Sequence, residues 1–94
     1  MSFRKHFWSP RVSSDEGFSI LPKIRAGEII YSEGDRRVMV GADALDDGLI
    51  DIALPERPVW DVGGSSTPFS DEDRVRVLNN VRRALGFVGL KTSA

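Results

Sequence analysis

The chain has 94 residues, 40% of them hydrophobic and 29% charged, with a net charge of −1 and no cysteine. That length holds one core and no second lobe, and no apolar run is long enough to span a bilayer. The lack of cysteine excludes a disulfide framework, thiolate catalysis and a cysteine-type zinc site, and favours a reducing, cytoplasmic setting.

Charge is spread unevenly. Residues 1–25 carry five Lys or Arg against two acids, residues 28–61 carry three against nine, and residues 62–94 carry five against three. An acidic middle between basic ends suits a basic partner, although a solvated sheet edge has the same signature.

Residues 1–17 lack periodicity and read as an irregular arm. Met1 to Pro10 is basic and aromatic but has no apolar signal-peptide segment, and Phe3, Phe7 and Trp8 are expected to pack on the body or on a neighbouring subunit. His6, the single histidine, lies in this arm with no orienting partner in prospect, which suits a tail or packing role better than catalysis.

Strand signals begin at Phe18–Leu21, stopped by Pro22. Ile29 to Tyr31 forms the next, Glu33-Gly34-Asp35 a turn, and Arg37–Val40 the returning strand of a hairpin. Gly41 to Gly48 reads as a polar connection. Leu49–Leu54 alternates, with Ile50, Ile52 and Leu54 on one face and Asp51 on the other. Val59–Val62 is a last short strand or an anchor, and Gly63–Thr67 a flexible connector. Phe87–Leu90 is one further strand or a tucked tail.

Ser70–Gly86 carries the clearest pattern in the chain. Ser70 is an N-cap with Asp73 at the capping-box place, Asp71, Glu72 and Asp73 face the positive end of the helix dipole, and Gly86 supplies a stop. Val77, Leu78, Val81, Ala84 and Leu85 form one apolar stripe, with Arg76, Asn79, Asn80 and Arg83 turned away. The fold expected is α+β over residues 18–94: an antiparallel β-meander of about four to five strands with one C-terminal amphipathic helix packed on one face. Ile24, Ile30, Val38, Val40, Ile50, Ile52 and Leu54 would line the covered face.

Candidate chemistry is sparse. From Asp43, an EF-hand register puts Asp47 and Gly48 at suitable places but Leu45 and Leu54 where ligands belong, so no metal or other cofactor is expected. The Gly63–Thr67 stretch lacks a Walker lysine, and the acids after it would repel phosphate. No nucleophile stands in a recognisable context, which disfavours an enzyme. Nucleic acid is the second possibility: Arg74, Arg76, Arg82 and Arg83 share a helix, and the arm mixes cations with rings. A pI near 5.7 and the acidic middle argue against it.

The hairpin Ile29–Val40, with Tyr31-Ser-Glu-Gly-Asp-Arg36, combines with Trp60, Pro68, an acidic-start helix at Ser70–Arg74, Asn79-Asn80 and a closing Ala84-Leu-Gly-Phe87. This order resembles the immunity protein 74 family of bacterial polymorphic toxin systems, over roughly residues 24–90. The Gly63–Thr67 connector and the arm depart from it. The resemblance implies a cytoplasmic, non-enzymatic protein that binds and neutralises one cognate toxin C-terminal domain, as a monomer or homodimer and away from membranes. Many such toxins are nucleases with basic active sites. Glu33, Asp35, Asp43, Asp46, Asp47, Asp51 and Glu56 are the candidate contact surface, with Trp60 as an aromatic anchor whose competing role is packing.

Overall fold

The computed structural model describes residues 3–5 and 11–92. It is an antiparallel sheet of eight strands with one helix at its C-terminal end, an α+β arrangement. The strands are β1 (Phe3–Lys5), β2 (Val12–Ser14), β3 (Phe18–Lys23), β4 (Glu28–Glu33), β5 (Arg36–Ala44), β6 (Ile50–Ala53), β7 (Trp60–Val62) and β8 (Ser65–Thr67). Helix α1 covers Asp71–Phe87, and a 3₁₀ turn at Ile24–Ala26 links β3 to β4. The sheet runs β1-β2-β3-β4-β5-β7-β8, with β6 paired to β5 as well. β6 and β7 thus share one side of β5, separated by an excursion through Pro55 and Pro58.

The strand count exceeds the sequence expectation for local reasons. Residues 1–17 were expected to be irregular, yet β1 pairs with β2 and β2 with β3, because Val12 fills a core position opposite Ile20. Phe3 packs edge-on against Phe18 at 5.9 Å, while His6, Phe7 and Trp8 lie outside the described residues. The supposed connector Gly63–Thr67 is a hairpin. Gly63 and Gly64 both take positive φ (58° and 91°), the requirement of a type I′ turn, so β7 returns directly as β8. β5 also extends past Val40: Ala42 is buried like Val38 and Val40, and the period of two carries pairing on to Ala44.

The core lies between one sheet face and α1. It contains Val12, Ile20, Ile29, Tyr31, Val38, Val40, Ala42, Ile50, Ile52 and Trp60, with Val77, Val81, Ala84 and Leu85 from the helix. Ile29 and Tyr31, not Ile30, point inward. Asn80 is buried in place of Leu78, which is half-covered, so the stripe is not purely apolar. The capping box is present: Ser70 Oγ accepts from the Asp73 amide and Asp73 accepts from the Ser70 amide. The stop, however, is Gly89 at φ 84°, not Gly86. The Leu90 amide donates to the Leu85 carbonyl and the Gly89 amide to that of Gly86, a Schellman motif. Beyond it Ile50 and Thr92 form a parallel bridge.

Candidate functional site

The predicted contact residues separate into two settings. Glu33 and Trp60 are built into the junction between α1 and the sheet. Trp60 is fully buried, its ring 4.8 Å from Phe69 and 6.1 Å from Tyr31, with the Arg36 guanidinium 4.3 Å above it. Its Nε1–H donates to Asp73 at 3.1 Å, tying β7 to the helix cap. Trp60 is therefore a packing residue and not an exposed anchor.

Glu33 accepts from Tyr31 Oη at 2.7 Å, from Arg76 at 2.9 and 3.0 Å, and from Arg36. Partial burial pushes its pKa up, but the donors from Arg76, Tyr31 and Arg36 outweigh this and hold it at about 2. The Ser70 amide, assisted by Trp60 and Arg76 against some desolvation, holds Asp73 far below the usual carboxylate range. Carboxyls kept so low remain ionised at neutral pH and act as anchors for cations rather than as proton donors. Tyr31 is pushed up, chiefly by burial and then by its bond to Glu33. Asn80 donates to Tyr31 Oη at 3.0 Å and accepts from Arg83, which also reaches Glu16 at 2.8 Å. Arg76, Asn80 and Arg83 were expected to point to solvent; each instead serves this network. The cleft beside it holds about 490 Å³ and is lined by Glu16, Phe18, Glu33, Arg76, Asn79, Asn80 and Arg83.

The remaining acids are exposed, but they do not form one patch. β5 spans about 30 Å at the usual rise per residue. Asp35 lies in the turn before its start, while Asp43, Asp46, Asp47 and Asp51 gather at its far end. Glu56 sits on the excursion between β6 and β7. Asp43 and Asp51 are direct partners across β5 and β6, like charges facing each other on the sheet surface away from the helix. Asp47 also shapes the turn by accepting from the Leu49 amide at 3.1 Å.

That outer surface is the open face of the sheet. Leu21, Ile30 and Met39 are neighbours across β3, β4 and β5, forming an apolar row. Beside it run Ser13, Ser19, Ser32, Arg37 and Asp61, with Arg37 and Asp61 paired at 3.4 Å. Val59 flanks Met39, and both are about half exposed. Sequence reasoning missed Ile30, Met39 and Val59. The signal was available for Met39, because Val38 and Val40 as core residues leave it on the opposite face.

Among the described residues, no group of three or more His, Cys, Asp or Glu is placed to hold a metal, and no helix is long and apolar enough to cross a membrane. No protein-family model, curated protein or solved structure matches the chain.

Proposed function

We propose that this chain is an immunity protein that binds and neutralises one bacterial toxin domain, a nuclease by class, through the acidic end of its open sheet face. The observation that carries this reading is the juxtaposition of Asp43 and Asp51 across β5 and β6. Asp46 and Asp47 stand exposed in the adjoining turn, and the apolar row of Ile30 and Met39 lies farther along the same face. Two exposed acids side by side on the sheet, with two more in the adjoining turn, are the electrostatic complement of a partner that brings Lys or Arg to this end of the face. An apolar centre with a charged rim is the usual anatomy of a protein-binding surface. The motif resemblance supplies the toxin as the partner, and with it a cytoplasmic location. Glu33 and Trp60 leave the contact set and become the scaffold that holds β4, β7 and α1 together.

The test uses the neighbouring reading frame. A secreted protein with a variable C-terminal domain, toxic alone and harmless when co-expressed with this chain, is the expected partner. Reversing Asp43, Asp46, Asp47 and Asp51 should abolish protection and remove the salt dependence of binding. A folded variant that protects and binds as the parent does would refute the assignment. Single-stranded nucleic acid is the weaker alternative, since Arg76 is engaged by Glu33 and Asp73, and Arg83 by Glu16. Salt-sensitive shifts of an oligonucleotide in a low-salt gel would favour it.

A further inference from the structure

On the open face the strand registers set the side chains in three rows. The middle row is apolar: Leu21, Ile30 and Met39 on β3, β4 and β5, with Val59 beside Met39. Met39 and Val59 are 52% and 49% exposed. Two residues along the strands to one side run Lys23, Glu28, Gly41 and Ala53. Two residues to the other side run Ser19, Ser32, Arg37 and Asp61. The first flanking row stands tall at Lys23 and Glu28 and low at Gly41, where a Cβ would press on the Ala53 carbonyl oxygen at 3.3 Å. The second is the reverse, low at its two serines and tall at Arg37 and Asp61.

We propose that a second copy of this chain packs on the open face, about a two-fold axis running along the apolar row. Such an axis stacks the two apolar rows on each other and lays each flanking row over the opposite flanking row of the second copy. Every tall side chain then meets a small one: Lys23 faces Ser19, Glu28 faces Ser32, Arg37 faces Gly41 and Asp61 faces Ala53. Along each side of the interface, Lys23 and Glu28 of one copy are followed by Arg37 and Asp61 of the other, so the signs alternate. A two-fold along β5 would instead set Arg37 against Arg37. The usual angle of about 30° between packed sheets moves rows about 7 Å from the axis by only about 3–4 Å. The patch measures about 13 by 14 Å at the backbone, the small end of specific interfaces, so a Kd on the order of 10 µM is expected. Asp35 and Asp43 stand four positions either side of Met39, and the same axis brings Asp35 of one copy near Asp43 of the other. Acids that β5 holds apart in one chain thus gather at the rims of the dimer, where water screens their repulsion and a basic partner can reach them. The dimer does not depend on the immunity role.

Sedimentation equilibrium of the full-length chain, from about 1 to about 500 µM, should show monomer and dimer in exchange. Met39→Asp, at an exposed position, should weaken the dimer at least about tenfold. Glu28→Arg and Arg37→Glu each put like charges together twice in their own dimers, and each should weaken association as much. Mixed one to one, those two variants should dimerise again, because both cross-contacts of the mixed pair join opposite charges. That recovery also shows both variants to be folded. A parent that stays monomeric at about 500 µM, a dimer indifferent to all three substitutions, or a mixture that fails to recover overturns the proposal. A monomeric chain whose Ile30 and Met39 amides shift only on adding the toxin domain gives the row to that partner and likewise overturns it. The two proposals fail separately. Protection by a monomeric chain sinks only the dimer, and a dimer that gives no protection sinks only the immunity function.

Discussion

Glu33→Gln is the most discriminating change to the scaffold, because it preserves shape while removing the charge on which three side chains converge. The fall of the Glu33 pKa from an ordinary 4.5 to about 2 sets a ceiling of about 3 kcal/mol on what the ionised form contributes. The side chain is 22% exposed, so solvent screening lowers the expected loss to about 2 kcal/mol at pH 7, or roughly 10 °C in Tm for a domain of this size. The sign in pH follows from the direction of the shift. A depressed pKa stabilises the fold above the unfolded value and loses that contribution as pH falls from about 4.5 towards 2. Urea unfolding followed by circular dichroism should therefore show the gap between parent and variant shrinking across that window. A gap below about 0.5 kcal/mol at pH 7, or one unchanged down to pH 2, would refute the claim that Glu33 anchors α1 to β4.

Three further outcomes are expected. Trp60→Phe keeps a ring in the core but removes the donor to Asp73 and part of the packing, costing about 1–3 kcal/mol in chemical denaturation. Ser70→Ala removes an acceptor from the Asp73 amide and should cost about 1 kcal/mol, visible as earlier thermal loss of helical signal. Asp43→Lys reverses an exposed charge without touching the core, so under the proposed immunity role it should abolish protection while leaving stability within about 0.5 kcal/mol. Lost protection at unchanged stability in that last variant separates a binding surface from a structural one.

Much of the chain's local order is legible in residue order alone. The Ser70 and Asp73 cap, the Ile29–Val40 hairpin and the Ile50, Ile52 alternation depend on neighbours within a few positions, so their signals are short-range. The β7–β8 hairpin was harder to see, because Ser65-Ser-Thr67 buries no apolar face to advertise a strand, although the Gly63-Gly64 pair was a turn signal. β2 announced itself only through Val12, a single core residue among polar neighbours.

Helical periodicity went astray at Arg76 and Asn80 because it sorts residues by polarity, and the sheet beneath them presents the Tyr31 hydroxyl and the Glu33 carboxylate. The acidic segment likewise looked continuous until β5, extended by about 3.3 Å per residue, carried Asp35 and Asp43 to opposite ends of the sheet.

By itself, the sequence determined the class of elements, the start of the helix and the sign of the charge along the chain, since these follow from local conformational preference and from composition. The tertiary structure decided which acids form a surface and which become anchors. Arg76 and Glu33 lie 43 positions apart, and only the packing of α1 on the sheet brings the guanidinium to within 2.9 Å of the carboxylate. Nothing short-range encodes that meeting, and it turns Glu33 from a candidate contact into the residue that ties β4 to the helix.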